Sequence, residues 1–183
     1  MIAGLMLLSS CAGSENNAEK SALDMKTEFN EAARIEIVAD VKADYGDRVY
    51  EFKLKYTGGG ETGEIAIMEP ETIAGLSAAV SLQGGVTLKY DGAELDTGAV
   101  TADGLSPAEA LPTLIEQWRT GFITYCDFEK LGDADTFAAV SDISNATRQK
   151  TWFDAKTLLP VRSEISNNGT TVIFCQFENV VLD

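Results

Sequence analysis

Three consecutive strands near the C-terminal end constrain this chain most. Trp152-Phe153 ends the first, and Asp154 to Thr157 makes a tight turn, because an Asp side chain can satisfy the backbone of its own turn. Leu159 to Ile165 reads as the second strand. Asn168-Gly169 then supplies two residues that tolerate positive φ, which a two-residue hairpin requires, and Thr170 to Phe177 runs back antiparallel. In that closing hairpin Ile173, Cys175 and Phe177 share one face, and Val172 and Phe174 the other. The module predicts an antiparallel sheet and names no reaction.

The same alternation runs upstream. Ala33, Ile35, Ile37, Ala39, Val41 and Ala43 point one way, and Arg34, Glu36, Asp40, Lys42 and Asp44 the other. After a turn at Gly46-Asp47, Tyr50, Phe52, Leu54 and Tyr56 are expected inside, with Glu51, Lys53 and Lys55 outside. Two neighbouring strands with one wet face belong to an antiparallel sheet. Gly58-Gly59-Gly60 turns the chain into a strand at Gly63 to Met68, and no Lys-Ser or Lys-Thr follows to make it a phosphate loop. Pro70 to Gly75 is a connector. Hairpins are expected at Gly84-Gly85 and Asp91-Gly92, and further strands over 123–130, 137–143 and 148–153. Between the two series, Ser106-Pro107-Ala108-Glu109 is a capping box with Pro at the first helical position. Leu111, Leu114, Ile115 and Trp118 follow at helical spacing. Pro112 lies inside this pattern, so a kink or restart is expected there, and Gly121 can end the helix. The simplest packing lays the helix on the apolar face of the sheet. A shorter, weaker helix is expected from Leu23 to Ala32.

At 183 residues, 45% of them hydrophobic, the chain can bury the core of one domain. The 29 acidic residues against 14 basic ones leave a net charge of −15. That disfavours nucleic acid, which needs a basic, counterion-releasing face. There is no histidine, which excludes a Ser-His-Asp or Cys-His relay and any His-ligated zinc.

The N-terminus reads as an address. Ile2 to Leu8 is an apolar run far shorter than the 20 or so residues that span a bilayer. It reads as the remnant of a secretion signal over residues 1–10. Leu8-Ser9-Ser10-Cys11 resembles the bacterial lipobox, which implies lipidation of Cys11 and a membrane anchor outside the cytoplasm. Ala12 to Ser21 is small and polar and suits a flexible tether. The expected organisation is therefore signal remnant 1–10, lipidated cysteine and tether 11–29, and one domain over 30–183.

Candidate chemistry is sparse. Cys126 and Cys175 can form a disulfide outside the cytoplasm or remain two buried thiols. Asp133, Asp135 and Asp142 lack the loop of a calcium site and read as a solvated turn, so no metal is expected. Asp154 and Glu164 read as a turn cap and a surface charge. Tyr50, Phe52, Leu54, Tyr56, Leu114, Trp118 and Trp152 either line a cavity or fill a core, since both draw on the same residue types.

Trp152-Phe153-Asp154, Thr157, Leu159-Pro160-Val161-Arg162 and Glu164, ahead of Asn168-Gly169, resemble the LolA/LolB lipoprotein-carrier fold and its relatives among bacterial lipoproteins. The Pro70–Gly75 connector and the Leu111–Trp118 helix also fit. The resemblance covers residues 30–183. It implies an α+β fold in which a curved antiparallel half-barrel covers one or two short helices, with a concave apolar surface for acyl chains or a partner's segment. The first long helix of the carriers is expected to be short or absent here. A second group that the chain resembles, the spore-germination lipoproteins, implies a non-catalytic partner of a cell-wall enzyme. Both readings are binding functions without a cofactor, and exposed edge strands would also permit a homodimer.

Overall fold

The computed structural model describes residues 12–81, 85–90, 93–99 and 103–183. Cys11 and the apolar run before it, Gly84, and the Asp91-Gly92 turn lie outside the described residues. The described residues begin with α1 (Ala12–Glu31). Six strands follow: β1 (Ile35–Asp44), β2 (Val49–Gly59), β3 (Thr62–Glu69), β4 (Ser77–Ser81), β5 (Gly85–Tyr90) and β6 (Ala93–Ala99). Helix α2 (Pro107–Arg119) then leads to β7 (Ile123–Leu131), β8 (Ala134–Asp142), β9 (Thr147–Asp154), β10 (Pro160–Asn167) and β11 (Thr170–Leu182).

These strands form one 11-stranded sheet, ordered β6, β5, β4, β3, β2, β1, β11, β10, β9, β8, β7. Every pairing is antiparallel. The first and last strands meet at its centre, where β1 pairs β11 from Ile35 opposite Leu182 to Ala43 opposite Ile173. Chain order therefore runs outward to β6, and α2 carries the chain to the opposite edge at β7. The sheet stays open, since β6 and β7 are its edges.

The turns form as the residues require. Asp154 Oδ1 accepts from the backbone amides of Lys156 at 3.0 Å and Thr157 at 2.8 Å and from the Thr157 hydroxyl at 3.1 Å. Those donors, the Thr157 amide foremost, hold its carboxyl below the ordinary value. Asn168 and Gly169 sit at φ 48° and 81°, the left-handed pair of a two-residue hairpin between Asn167 and Thr170.

The inner face carries the core. Ile35, Ile37, Ala39, Val41 and Ala43 of β1 are all buried, and the two alanines leave room for a helix. Trp118 of α2 packs at a tilt against Phe29 of α1 (5.1 Å between centroids) and edge-on against Phe153 of β9 (5.8 Å) and Phe177 of β11 (5.5 Å). A buried hydrogen-bond network ties this helix to the sheet. Trp118 Nε1 donates to Thr151 Oγ1 at 2.9 Å, and Thr151 Oγ1 donates to Gln149 Oε1 and shares a hydrogen bond with Ser163 Oγ, both at 2.7 Å. Gln149 Nε2 donates to Ser141 Oγ at 2.8 Å, which donates on to Gln117 Oε1 at 3.0 Å.

Three expectations are corrected. The stretch Ala12–Ser21 is not a flexible tether, and the first helix is neither short nor absent. One 20-residue helix runs from Ala12 to Glu31. Ala18, Ala22, Met25 and Phe29 recur every three or four residues on its buried side, so packing rather than propensity makes the helix. Pro112 does not break α2 into two helices, because burial of Leu111, Leu114 and Ile115 on one side holds the turns together across the missing amide. Of the two states left open for Cys126 and Cys175, the structure has the free thiols. They lie on β7 and β11 with three strands between them, about 19 Å at the usual strand spacing, against the 7 Å that a disulfide can bridge.

Candidate functional site

Helix cover is unequal across the inner face. Helix α1 packs on β7, β8 and α2, and α2 packs on α1, β1 and β2. Beyond β2 the first turn of α2 meets the sheet. There an apolar cleft of about 220 Å³ opens between that turn and four strands. Phe52 and Leu54 of β2, Ile65 and Ile67 of β3, Ala78 of β4 and Leu88 of β5 form its floor. Leu76, Pro107 and Ala108 close it, and Ser77 and Ser106 are its polar residues. Register explains the floor: Leu54 stands opposite Ile67, Ile65 opposite Ala78, and Ala78 opposite Leu88.

Of the seven residues named from sequence for a cavity, Phe52 and Leu54 line this cleft. Tyr56, Leu114 and Trp118 are buried in the packed core, with Tyr56 against Gly58 and Gly63. Tyr50 shares their face but is 42% exposed, because no element covers that end of β2; it packs edge-on against Tyr45 at 6.1 Å. Trp152 is on the outer face, not in the cavity. Its ring lies between Lys150 Nζ at 4.5 Å and the Arg162 guanidinium at 5.6 Å, and its Nε1 donates to Glu129 Oε1. The sequence reading missed Ile65, Ile67, Leu76, Leu88 and the helix start. The alternation of Ile65 and Ile67 in β3 was the available signal.

The cleft meets α2 at an unusual cap. The Ser106 side chain caps no backbone amide of the helix. Glu109 instead draws the Ser106 hydroxyl and amide to its carboxylate, which is half of a capping box. Glu109 is buried at 8% exposure, and its Oε1 has no hydrogen-bond partner. Burial first, then Asp103, push its carboxyl above the ordinary 4.5, against the pull of Ser106.

A larger recess, about 570 Å³, lies on the outer side over β1, β2, β10 and β11. Asp40, Lys42, Glu51, Lys53, Glu69 and Arg162 line it. Its charges already answer one another: Lys53 pairs with Glu178 at 2.8 Å and Asp40 at 3.7 Å, and Arg162 with Glu164 at 2.5 Å. Among the described residues no cluster of potential ligands could hold a metal ion.

No protein-family model and no curated protein matches this sequence. Solved structures resemble the fold. A Vibrio parahaemolyticus domain described as an outer membrane lipoprotein-sorting protein superposes with a TM-score of 0.53 at 11% identity, over 91% of this chain and 93% of that one. An uncharacterized conserved protein from Thermus thermophilus gives 0.54 at 9%, over 91% and 88%. A DUF1329 family protein from Desulfovibrio piger gives 0.50 at 12%, over 93% of each chain. At such identities the likeness is one of fold, and the fold is the one the resemblance implied: a LolA-like α+β architecture with an open antiparallel sheet over two helices.

Proposed function

We propose that this chain is a lipid-anchored bacterial envelope protein that binds one acyl chain in the cleft between β2–β5 and the first turn of α2. The observation that carries the reading is the apolar cleft that opens between these strands and the helix start. A volume of about 220 Å³ holds roughly seven methylene-sized groups, if each takes about the 30 Å³ of a water molecule. It lies below the usual range of small-molecule sites, about 300–1,000 Å³. One chain end fits, and a multi-chain lipid does not unless the cleft widens. The reading is non-catalytic. The anchor would be Cys11, and the N-terminal residues would place the domain at a membrane outside the cytoplasm.

The test uses the full chain with Cys11→Ser, purified without detergent. Native mass spectrometry should reveal added mass of one acyl lipid, lost on delipidation. Ala78→Trp, which puts an indole on the cleft floor, should abolish that adduct while the far-ultraviolet circular dichroism stays unchanged. A parent protein that carries nothing and takes up no added single-chain lipid sinks the reading. Phe122, 81% exposed just before the edge strand β7, and Tyr125, 53% exposed on it, favour the second reading, a non-catalytic protein partner. Loss of envelope binding on Phe122→Ser, with lipid uptake intact, would favour it.

A further inference from the structure

We propose that the first turn of α2, Ser106–Leu111, is a pH-sensitive gate on the apolar cleft, hinged at Pro112 and opened by ionisation of Glu109. The proposal concerns the regulation of the cleft to which acyl binding is assigned above, and its first test needs no ligand.

The two halves of α2 are held differently. The C-terminal half is pinned from four sides. Trp118 Nε1 donates to Thr151 at 2.9 Å, and Gln117 accepts from Ser141 at 3.0 Å. Arg119 Nη1 reaches the Gly60 carbonyl at 2.7 Å. Asn30 of α1 donates to the Arg119 carbonyl at 2.9 Å, and Lys26 to that of Gly121. The N-terminal turn is secured mainly by apolar contact of Ala110 and Leu111, with a latch from the Tyr45 hydroxyl to the Leu105 carbonyl at 2.9 Å. Its amides at Glu109 and Ala110 bond back to Ser106, within the turn itself. Pro112 has no amide to give the Ala108 carbonyl, so the first turn and the pinned half are joined by one hydrogen bond fewer. This weakly coupled turn contributes Ser106, Pro107 and Ala108 to the cleft wall.

Glu109 works against closure. Its Oε1 is buried without a partner, a cost that falls hardest on the charged form. The titratable groups that face it are Asp103 on the preceding loop and Tyr45 on the β1–β2 turn, with Tyr50 behind Tyr45. Beside that loop, β10 turns the apolar Ile165 toward Gly104. Anionic or neutral, these neighbours cannot offset a carboxylate. The closed turn therefore holds the acid protonated above its ordinary 4.5, and opening returns it to water. Closure is fully favoured below the ordinary value and weakens as pH rises through the raised one. The gate opens toward neutral pH.

Amide hydrogen exchange by NMR on the Cys11→Ser chain tests this. Protection of Thr113, Leu114 and Ile115, whose helical amide bonds cross the hinge, relative to Gln117 and Trp118, should fall between pH 4 and pH 8 after correction for intrinsic rates. The fall should be roughly tenfold for each unit by which burial raises the carboxyl. Glu109→Gln should flatten that dependence. Tyr45→Phe should lower protection of the same amides at every pH and leave the slope. A parent ratio that does not change with pH, or an equal fall in Glu109→Gln, overturns the gate. Uptake of the neutral dye 1-N-phenylnaphthylamine, followed by stopped flow, should be faster at pH 8 than at pH 5 in the parent and equal in Glu109→Gln. Dye that never binds beside pH-dependent exchange would sink the acyl reading and support the gate; dye that binds beside flat exchange would do the reverse.

Discussion

Replacing Thr151 by valine removes a hydroxyl that three side chains share. Thr151 Oγ1 accepts from Trp118 Nε1 and donates to Gln149 Oε1, so its bond with Ser163 must be accepted, which fills its capacity. Valine keeps the shape and supplies no polar atom. The Trp118 N–H, fixed in a buried ring, would have no partner, and one buried orphan costs about 1–3 kcal/mol. Ser163 can rotate its hydroxyl, but Gln149 Oε1 loses its donor, so the sum is about 2–4 kcal/mol. For a chain of this length that lowers Tm by roughly 5–15 °C. Trp118→Phe alone should cost about 1–2 kcal/mol, because it removes the donor and leaves Thr151 its other two partners. The double variant should be milder than the sum by about 1 kcal/mol or more, since the orphan no longer exists. Urea unfolding followed by circular dichroism measures all four corners of the cycle. A Thr151→Val variant within about 0.5 kcal/mol of the parent would refute the network as the anchor of α2.

Other outcomes follow from single contacts. With Cys11 replaced by serine, the native chain should show two free thiols and no disulfide by mass. Dithionitrobenzoate should reach half-buried Cys126 slowly and Cys175 only on unfolding, since burial pushes the Cys175 thiol up to about 12. Gly63→Ala should destabilise by about 1–3 kcal/mol in urea, because a Cβ there would stand 2.5 Å from the immobile Tyr56 ring. Trp152→Phe should cost about 1 kcal/mol through its lost bond to Glu129 and leave dye binding unchanged, because it faces away from the cleft. Asp154→Ala should cost about 1 kcal/mol at neutral pH. Because the carboxyl lies below its ordinary 3.8 when folded, that difference is present above 3.8 and disappears as acid titrates the group.

What was legible in the sequence was local. Alternation located β1 and β2, and the chemistry of Asp154 and of Asn168-Gly169 located the closing turns, since each depends on residues within a few positions. Trp152 was misassigned because its aromatic character was read as inward, although Arg148, Lys150 and Asp154 share its period on β9 and mark that side as outward. The face follows from pairing with β10, where Arg162 stands opposite Trp152 past a shift in register. Helix α1 was underread because Ala18 and Ala22, half of its buried stripe, are too small to mark a period by themselves. The cysteines share a face, but their separation depends on a strand order that returns β11 to the centre. Tyr50 obeys its period and is still exposed, because alternation assigns a face and says nothing of what covers it.

That last point also explains the cleft. Eleven strands span about 48 Å along the sheet. A helix is about 10 Å wide, so two packed side by side shield a strip of about 20 Å. Helix α1 takes β7 and β8, and α2 takes the centre, where Trp118 spans β9 to β11 and the helix body meets β1 and β2. Among the described residues, the first turn of α2 is what bounds the cleft over β3 to β5. On those strands Ile65 and Ala78 are buried, and Ile67 and Leu88 are half-buried along the cleft. The cleft therefore lies on the part of the sheet away from α1. The turn that bounds it is the part of α2 that the buried network does not reach.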